Sequence, residues 1–198
     1  MAYNNFTLDT VKHQFNLNLV DLPFCDLLPI AEPQSAFVTI IEQYLPLAQR
    51  AKSEKAKSEL LVSPILIEAR RLVNERMQLF SGEEFNVNFE RGLNGFCDFV
   101  FSKSTAPFLI EAPVLMLVEA KRGELDAGLG QCIAEMVAAQ IYNLSEGKEI
   151  ATIYGCVTSG KLWQFLKLVG NDVTIDVNEY PVMPIQKILG ILKFMLFE

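Results

Sequence analysis

The clearest pattern in this chain of 198 residues lies between positions 114 and 144. "VLMLVEA", 114 to 120, is an apolar run that ends in a charge, which reads as a buried strand. Alternation sets Leu115, Leu117, Glu119 and Lys121 on one side, with Val114, Met116, Val118 and Ala120 on the other. After Gly123 the period changes. Leu125, Leu129, Ile133, Met136, Val137 and Ile141 recur at helical spacing, so a helix is predicted here, with Gly128 and Gly130 weakening its first turn.

Upstream, residues 6 to 20 alternate roughly and predict a strand or hairpin arm, followed by a loop rich in Pro and Asp. Residues 35 to 78 read as helical. Pro46 and Pro64 should kink or divide that stretch, and Ser63-Pro64 can cap a new helix. Strands are predicted at 84 to 90 and 95 to 102, with Asn94-Gly95 as a hairpin signal. Downstream, 151–159, 161–169 and 172–179 read as strands, with Ser159-Gly160 as a tight turn. "PIQKILGILKFMLF" closes as a helix. The pattern predicts a mixed α/β fold, helices packed on a central mixed sheet, as one domain over 1–198 without internal repeats.

Composition adds limits. Half the residues, 51%, are hydrophobic and 14 are Phe, enough for a sizeable core. The N-terminal stretch has no basic start leading into an apolar run, and no segment has the length of a membrane span, so neither a signal peptide nor a membrane partner is expected. Cys25, Cys97, Cys132 and Cys156 are widely spaced, and the chain has one histidine. A zinc cluster or disulfide framework is therefore not expected, and a reduced cytoplasm is the natural setting. Net charge is −7, which argues against a generally basic nucleic-acid binder. It is unevenly spread: residues 50 to 76 carry seven Lys/Arg against four Glu, net +3, either a basic stripe or a solvated helix face.

The chemistry-bearing residues stand where apolar strands meet charge. Glu119 and Lys121, at i and i+2, project side by side from the end of a buried strand. The other E-x-K, Glu146-Gly147-Lys148, falls in a polar turn. Asp98 is the one acid in "GFCDFVF", and if its strand neighbours 114–121 then Asp98 and Glu119 can share a face. Two carboxylates converging there suit a hard divalent cation, which polarises a phosphoryl oxygen and activates water, with the lysine orienting that water. An Asp98–Lys121 ion pair at the sheet's edge would explain the same residues without metal. Trp163 and Phe165 alternate along a strand and read as core or interface. His13 has no candidate partner nearby in sequence.

Asp98, then Glu119-x-Lys121, then a helix carrying Gln131 resembles the PD-(D/E)XK nuclease superfamily, the restriction-endonuclease-like fold. The resemblance implies an αβββαβ core over about 54–157, with extensions 1–53 and 158–198. It implies Mg²⁺, or Mn²⁺, held by Asp98, Glu119 and the Ala120 carbonyl, with Lys121 beside the attacking water. Glu59, or less plausibly Glu68, would be the glutamate on the first core helix. Gln131 lies near the place of the Q-x-x-x-Y motif of related nucleases, although Glu135 stands here for the tyrosine and Cys97 for the proline before Asp98. The implied function is metal-dependent hydrolysis of DNA, less so RNA, with Arg70 and Arg71 of the basic segment holding the phosphate backbone. The alternative is a non-catalytic binding or assembly module of the same fold. A core without a targeting domain also implies a homodimer or an unidentified partner protein, and the apolar C-terminal "ILGILKFMLFE" points the same way.

Overall fold

A computed structural model describes residues 2–74, 76–104 and 106–197; Glu75 of the basic segment and Glu198 of the C-terminal stretch lie outside them. The elements, in chain order, are α1 (Leu8–Phe15), β1 (Asn18–Asp21), α2 (Ser35–Arg50), α3 (Glu54–Lys57), a π-helical turn (Ser58–Val62), α4 (Ser63–Leu72), β2 (Gln78–Glu84), β3 (Phe96–Ser102), β4 (Val114–Ala120), α5 (Asp126–Ser145), β5 (Ile153–Thr158), β6 (Leu162–Val169), β7 (Asp172–Ile175), β8 (Tyr180–Pro181) and α6 (Ile185–Phe197). The architecture is mixed α/β, as the pattern predicted.

One sheet runs β1-β7-β6-β5-β4-β3-β2, with β8 pairing β6 outside that path. β2, β3 and β4 are antiparallel neighbours, and β5 returns parallel to β4 after the α5 crossover. Helix, three antiparallel strands, helix and a parallel strand therefore follow one another from Glu54 to Thr158. The flanking segments join the same sheet: β1 pairs with β7, and β6 with β5. One face packs against α2, α4 and α6 through residues such as Ile65, Leu66, Phe101, Met116, Trp163 and Leu192. The other packs against α5 and the N-terminal segment, through Leu117, Ile133, Val157, Val11 and Phe15. Trp163 and Phe165 are both fully buried, so they are core residues.

β4 is buried along its whole length, and α5 lies between the sheet and the N-terminal segment. That explains why α5 is apolar almost all round rather than along one stripe. Gly130 permits the second contact, since a Cβ there would sit 2.4 Å from the Thr7 carbonyl carbon. The four cysteines are buried free thiols.

Three local expectations are corrected. Residues 8–15 form a helix, not a strand arm. Thr7 and Thr10 close a capping box, Val11 and Phe15 bury at helical spacing, and Asn16 ends the turn with φ 52°. Pro46 does not divide α2; the Glu42 carbonyl it leaves unpaired is on an exposed stretch and can meet water. The helix beyond it stops at Leu72, and the next strand covers 78–84 instead of 84–90. β2 is an edge strand with one neighbour, so only Phe80 is buried and no alternation marks it. Residues 85–95 form the hairpin end instead, joined by Phe85 N–H to the Gly95 carbonyl and by an Asn88–Leu93 bridge. At Pro64 the run stays helical: the π turn lets Ser63 N–H reach the Ser58 carbonyl before the proline opens α4.

α6 is largely buried within the fold, at Ile188, Leu189, Ile191, Leu192, Met195 and Leu196, which absorbs most of the apolar surplus that suggested a homodimer. Phe197 stays 66% exposed beside Ile30. No helix among the described residues is long and apolar enough to cross a membrane.

The start of β4 is fastened by a side chain. Asn143, 1% exposed, accepts from Val114 N–H at 2.8 Å and donates to its carbonyl at 2.7 Å. Asn143→Ala leaves two buried backbone groups unpaired, and we expect a loss of about 2–4 kcal/mol of unfolding free energy in urea titration. A loss under about 1 kcal/mol would mean that water replaces the amide.

Candidate metal and phosphodiester site

β3 and β4 pair as far as Phe99 opposite Val118, which brings Asp98 to the end of β4 that carries Glu119. Asp98 Oδ2 accepts from Ala120 N–H at 2.8 Å, fixing the carboxylate against the end of β4. Lys121 N–H in turn donates to the Thr158 carbonyl at 2.7 Å, so the backbone stays in register with β5 one residue past the strand. Glu119 and Lys121 then project to the same side, as the i, i+2 spacing predicted.

Glu119 is 2% exposed. Its Oε1 accepts from Lys121 Nζ at 2.5 Å, while Oε2 has no hydrogen-bond partner. Lys121 Nζ also donates to Gln131 Oε1 at 3.0 Å, and Gln131 Nε2 donates to Glu135 Oε1 at 3.0 Å. The result is a chain of polar contacts, Glu119–Lys121–Gln131–Glu135, running from the sheet's end into α5. Gly128 makes room for it: a Cβ there would stand 3.0 Å from Lys121 Cγ and 2.7 Å from Val157 Cγ1. The lysine therefore crosses the first turn of α5 where no side chain blocks it.

Burial sets the electrostatics. It pushes the Glu119 carboxyl up to about 8, with the charge of Asp98 adding to it and Lys121 offsetting only part. Glu135, fully buried, is raised well above the ordinary carboxyl range, again by burial first and by Glu119 second. Burial works against the Lys121 ammonium, yet the charge and hydrogen bond of Glu119 outweigh it and raise the amine. The cluster thus holds more carboxyl groups than its one cation can balance.

A cleft of about 300 Å³ opens beside it, lined by Glu54, Lys55, Ser58, Glu59, Ser81, Gly82, Asp98, Phe99 and Ala120. Glu59 is therefore at the cleft, although it is exposed and paired with Lys55 at 3.6 Å. Glu68 is not. It is tied to Arg71 by two hydrogen bonds of 2.8 and 2.9 Å and to Gln34 N–H at 2.8 Å. Arg70 Nε donates to the Met77 carbonyl at 2.6 Å. Arg70 and Arg71 lie about 16 Å along the helix axis from Glu59 and do not line the cleft. The basic groups nearer to it are Lys55 and Lys57, whose Nζ donates to the Arg122 carbonyl at 3.0 Å.

The structure therefore brings Asp98, Glu119, Ala120, Lys121, Gln131 and Glu59 to one end of the sheet. Lys121 pairs with Glu119 rather than with Asp98. Two further acids were not foreseen. Glu54 opens α3 behind the Ser53 cap, whose Oγ accepts from Ala56 N–H at 3.2 Å, and that cap is a signal the sequence carries. Glu135 lies one helical turn after Gln131, a polar pair within the buried stretch 129–139 of α5.

The donors fit a hard divalent cation. Asp98 and Glu119 offer carboxylate oxygens on adjacent strands, and Glu119 Oε2 is buried and unpartnered. Among the described residues no three His, Cys, Asp or Glu side chains form a ready-made metal cluster, so a cation here would draw on backbone oxygen and water as well. No protein-family model matches the chain, and no curated protein matches it.

A carboxyl that ionises near 4.5 in the unfolded chain and about 8 in the folded one keeps its proton longer in the native state. The unfolded state then binds fewer protons between those values, so stability should fall as pH rises from about 4.5 to 8. In chelator, the thermal midpoint should decline over that window, and Glu119→Gln should make the decline shallower. Equal slopes in both proteins would show that Glu119 is already ionised at low pH.

Proposed function

We propose that the protein is a metal-dependent phosphodiesterase acting on DNA, of the PD-(D/E)XK nuclease type. The observation that carries this reading is the convergence of Asp98, Glu119, Lys121 and Gln131 at one end of β3, β4 and α5. Asp98, Glu119 and the Ala120 carbonyl would hold Mg²⁺ or Mn²⁺. Such an ion supplies Lewis-acid polarisation of a phosphoryl oxygen and a bound water acidified toward neutral pH.

The chain's own residues account for the rest. Asp98, held by Ala120 N–H, lines the cleft, and Glu119 beside it keeps a buried Oε2 without a partner. Lys121 sits beside them as a fixed ammonium, placed to orient a nucleophilic water and to offset charge developing on phosphate. Gln131 holds that ammonium at a second oxygen. Glu135 accepts from the Gln131 amide nitrogen, which leaves the amide oxygen facing Lys121. Lys55 lines the cleft where a phosphate backbone would pass, whereas Arg70 and Arg71 do not line it. One site severs one strand. Cleavage of a duplex therefore calls for a second copy, or another protein, and exposed Ile30 and Phe197 offer apolar surface for it.

A second reading is a binding or assembly module in which the Glu119–Lys121 pair only closes the end of the sheet. The Lys121–Glu119 contact favours it, since a buried ion pair alone would account for both side chains. Cleavage separates the two. Wild-type protein with Mg²⁺ or Mn²⁺ should cut DNA, and Glu119→Ala from a matched preparation should not. Lys121→Ala should keep divalent-ion binding in calorimetry while turnover falls about 10²–10³-fold. Equal cleavage by wild type and Glu119→Ala would assign the activity to a contaminant and leave the module.

A further inference from the structure

A second cleft, of about 250 Å³, is lined by Ala2, Tyr3, Asn4, Gly95, Phe96 and Gln131. It differs in chemistry from the acidic cleft beside it. None of its lining residues carries a charge, and two of them, Asn4 and Gln131, are amides. Its cross-strand surroundings are no better suited to phosphate, because Glu84 stands directly opposite Phe96. An anion has no reason to enter. A flat, neutral ring with hydrogen-bonding edges does.

Phe96 gives that ring something to stack on. It is 63% exposed, an unusual state for a strand phenylalanine, while the strand's other phenylalanines, Phe99 and Phe101, are at most 2% exposed. Phe96 stands two residues before Asp98 on β3, about 7 Å along the strand. The fold's other highly exposed phenylalanines lie elsewhere, Phe197 among them at the end of α6. Phe89, 69% exposed, is at the tip of the β2–β3 hairpin, and Phe108, 90% exposed, is in the β3–β4 loop at the opposite end of β3. Trp163 and Phe165, read from sequence as core or interface, are fully buried. Gln131 ties this cleft to the charged cluster, lining it while its carboxamide oxygen accepts from Lys121 Nζ, which in turn donates to Glu119.

We infer that the Phe96 cleft binds an unpaired nucleobase next to the phosphate held at Asp98 and Glu119, so that single-stranded or frayed DNA is bound in preference to closed duplex. A base inside a duplex has its faces covered by its neighbours and cannot reach Phe96; an unpaired base can turn out and stack. The inference rests on the nuclease reading above and adds the form of the substrate to it.

The test uses anisotropy of a fluorescein-labelled 12-nucleotide single strand of mixed sequence, and of the same sequence as a blunt duplex, with Ca²⁺ as the added ion. Loss of one base–aromatic stack corresponds to about a 5- to 150-fold loss of affinity. Phe96→Ala should lower the ratio of single-strand to duplex affinity by that factor. Phe96→Trp should retain the ratio, and its indole, read against the one buried Trp163, should be quenched as the oligonucleotide is added. An unchanged ratio in Phe96→Ala, or an indole signal that does not move while the strand binds, overturns the cleft assignment and leaves the nuclease reading standing. Binding and quenching without any Mg²⁺-dependent cleavage by wild type keeps the cleft and overturns the nuclease reading. No binding of either probe by wild type overturns both.

Discussion

The burial of Glu119 at the end of β4 is the constraint on which the surrounding structure depends. A carboxylate that is 2% exposed is costly unless its charge is answered, and the strand that carries it has no solvated face to turn it towards. Lys121 answers from two residues on, but an ammonium there must cross the first turn of α5. Gly128 is the consequence: any larger residue would collide with the lysine's methylenes and with Val157. Gln131 and Glu135 extend the same logic, giving the amine a second acceptor and the amide a fixed orientation. Asp98 adds charge rather than relieving it. A fold selected only for stability would place an apolar residue at one of these positions, so their co-occurrence is what makes a role for the excess charge worth testing.

The parts of this fold that were legible in the sequence are the parts buried on both sides. β4, β5, β6, α5 and α6 each carry an apolar run long enough for its period to be unambiguous. Legibility fell at the periphery. β2 has one neighbouring strand and one fully buried side chain, so its sequence records almost nothing of its conformation. Residues 8–15 were misread because Leu8, Val11 and Phe15, at helical spacing, are interleaved with residues that mimic alternation, and the Thr7–Thr10 capping box was the deciding local signal. The π turn at Ser58–Val62 has no sequence signature apart from the proline that follows it.

The site divides in the same way. Asp98, Glu119 and Lys121 were legible because a charge within a buried strand is conspicuous and a period of two fixes its direction. Gln131 was suggested by resemblance and is placed by hydrogen bonds to both neighbours. Glu135 was visible only as a departure from that resemblance; its contact with Gln131 depends on α5 lying over the sheet, which no local pattern encodes. Arg70 and Arg71 show the opposite failure. Clustered charge in sequence suggested a phosphate grip, whereas the side chains serve the fold: Arg71 holds the buried Glu68, which in turn receives Gln34 N–H ahead of α2. A basic count over 27 residues says nothing about which side chains are already engaged.

That engagement also bears on how such a site could hold nucleic acid. With a net charge of −7 the protein as a whole repels a polyanion, and the cations near the cleft are few. Lys55 already faces Glu59, and Lys57 is bonded to a backbone carbonyl. Long-range steering by a basic surface is therefore unavailable, and little counterion release can contribute to affinity. Binding under these conditions has to come from short-range terms: ligation of phosphate oxygen at the carboxylates through a shared cation, the fixed ammonium of Lys121, and stacking on exposed ring surface. Each requires the substrate to be close and correctly placed before it contributes. A protein built this way would hold a strand weakly until its backbone and one base are both seated, which makes strand geometry, rather than charge density, the property to which it responds.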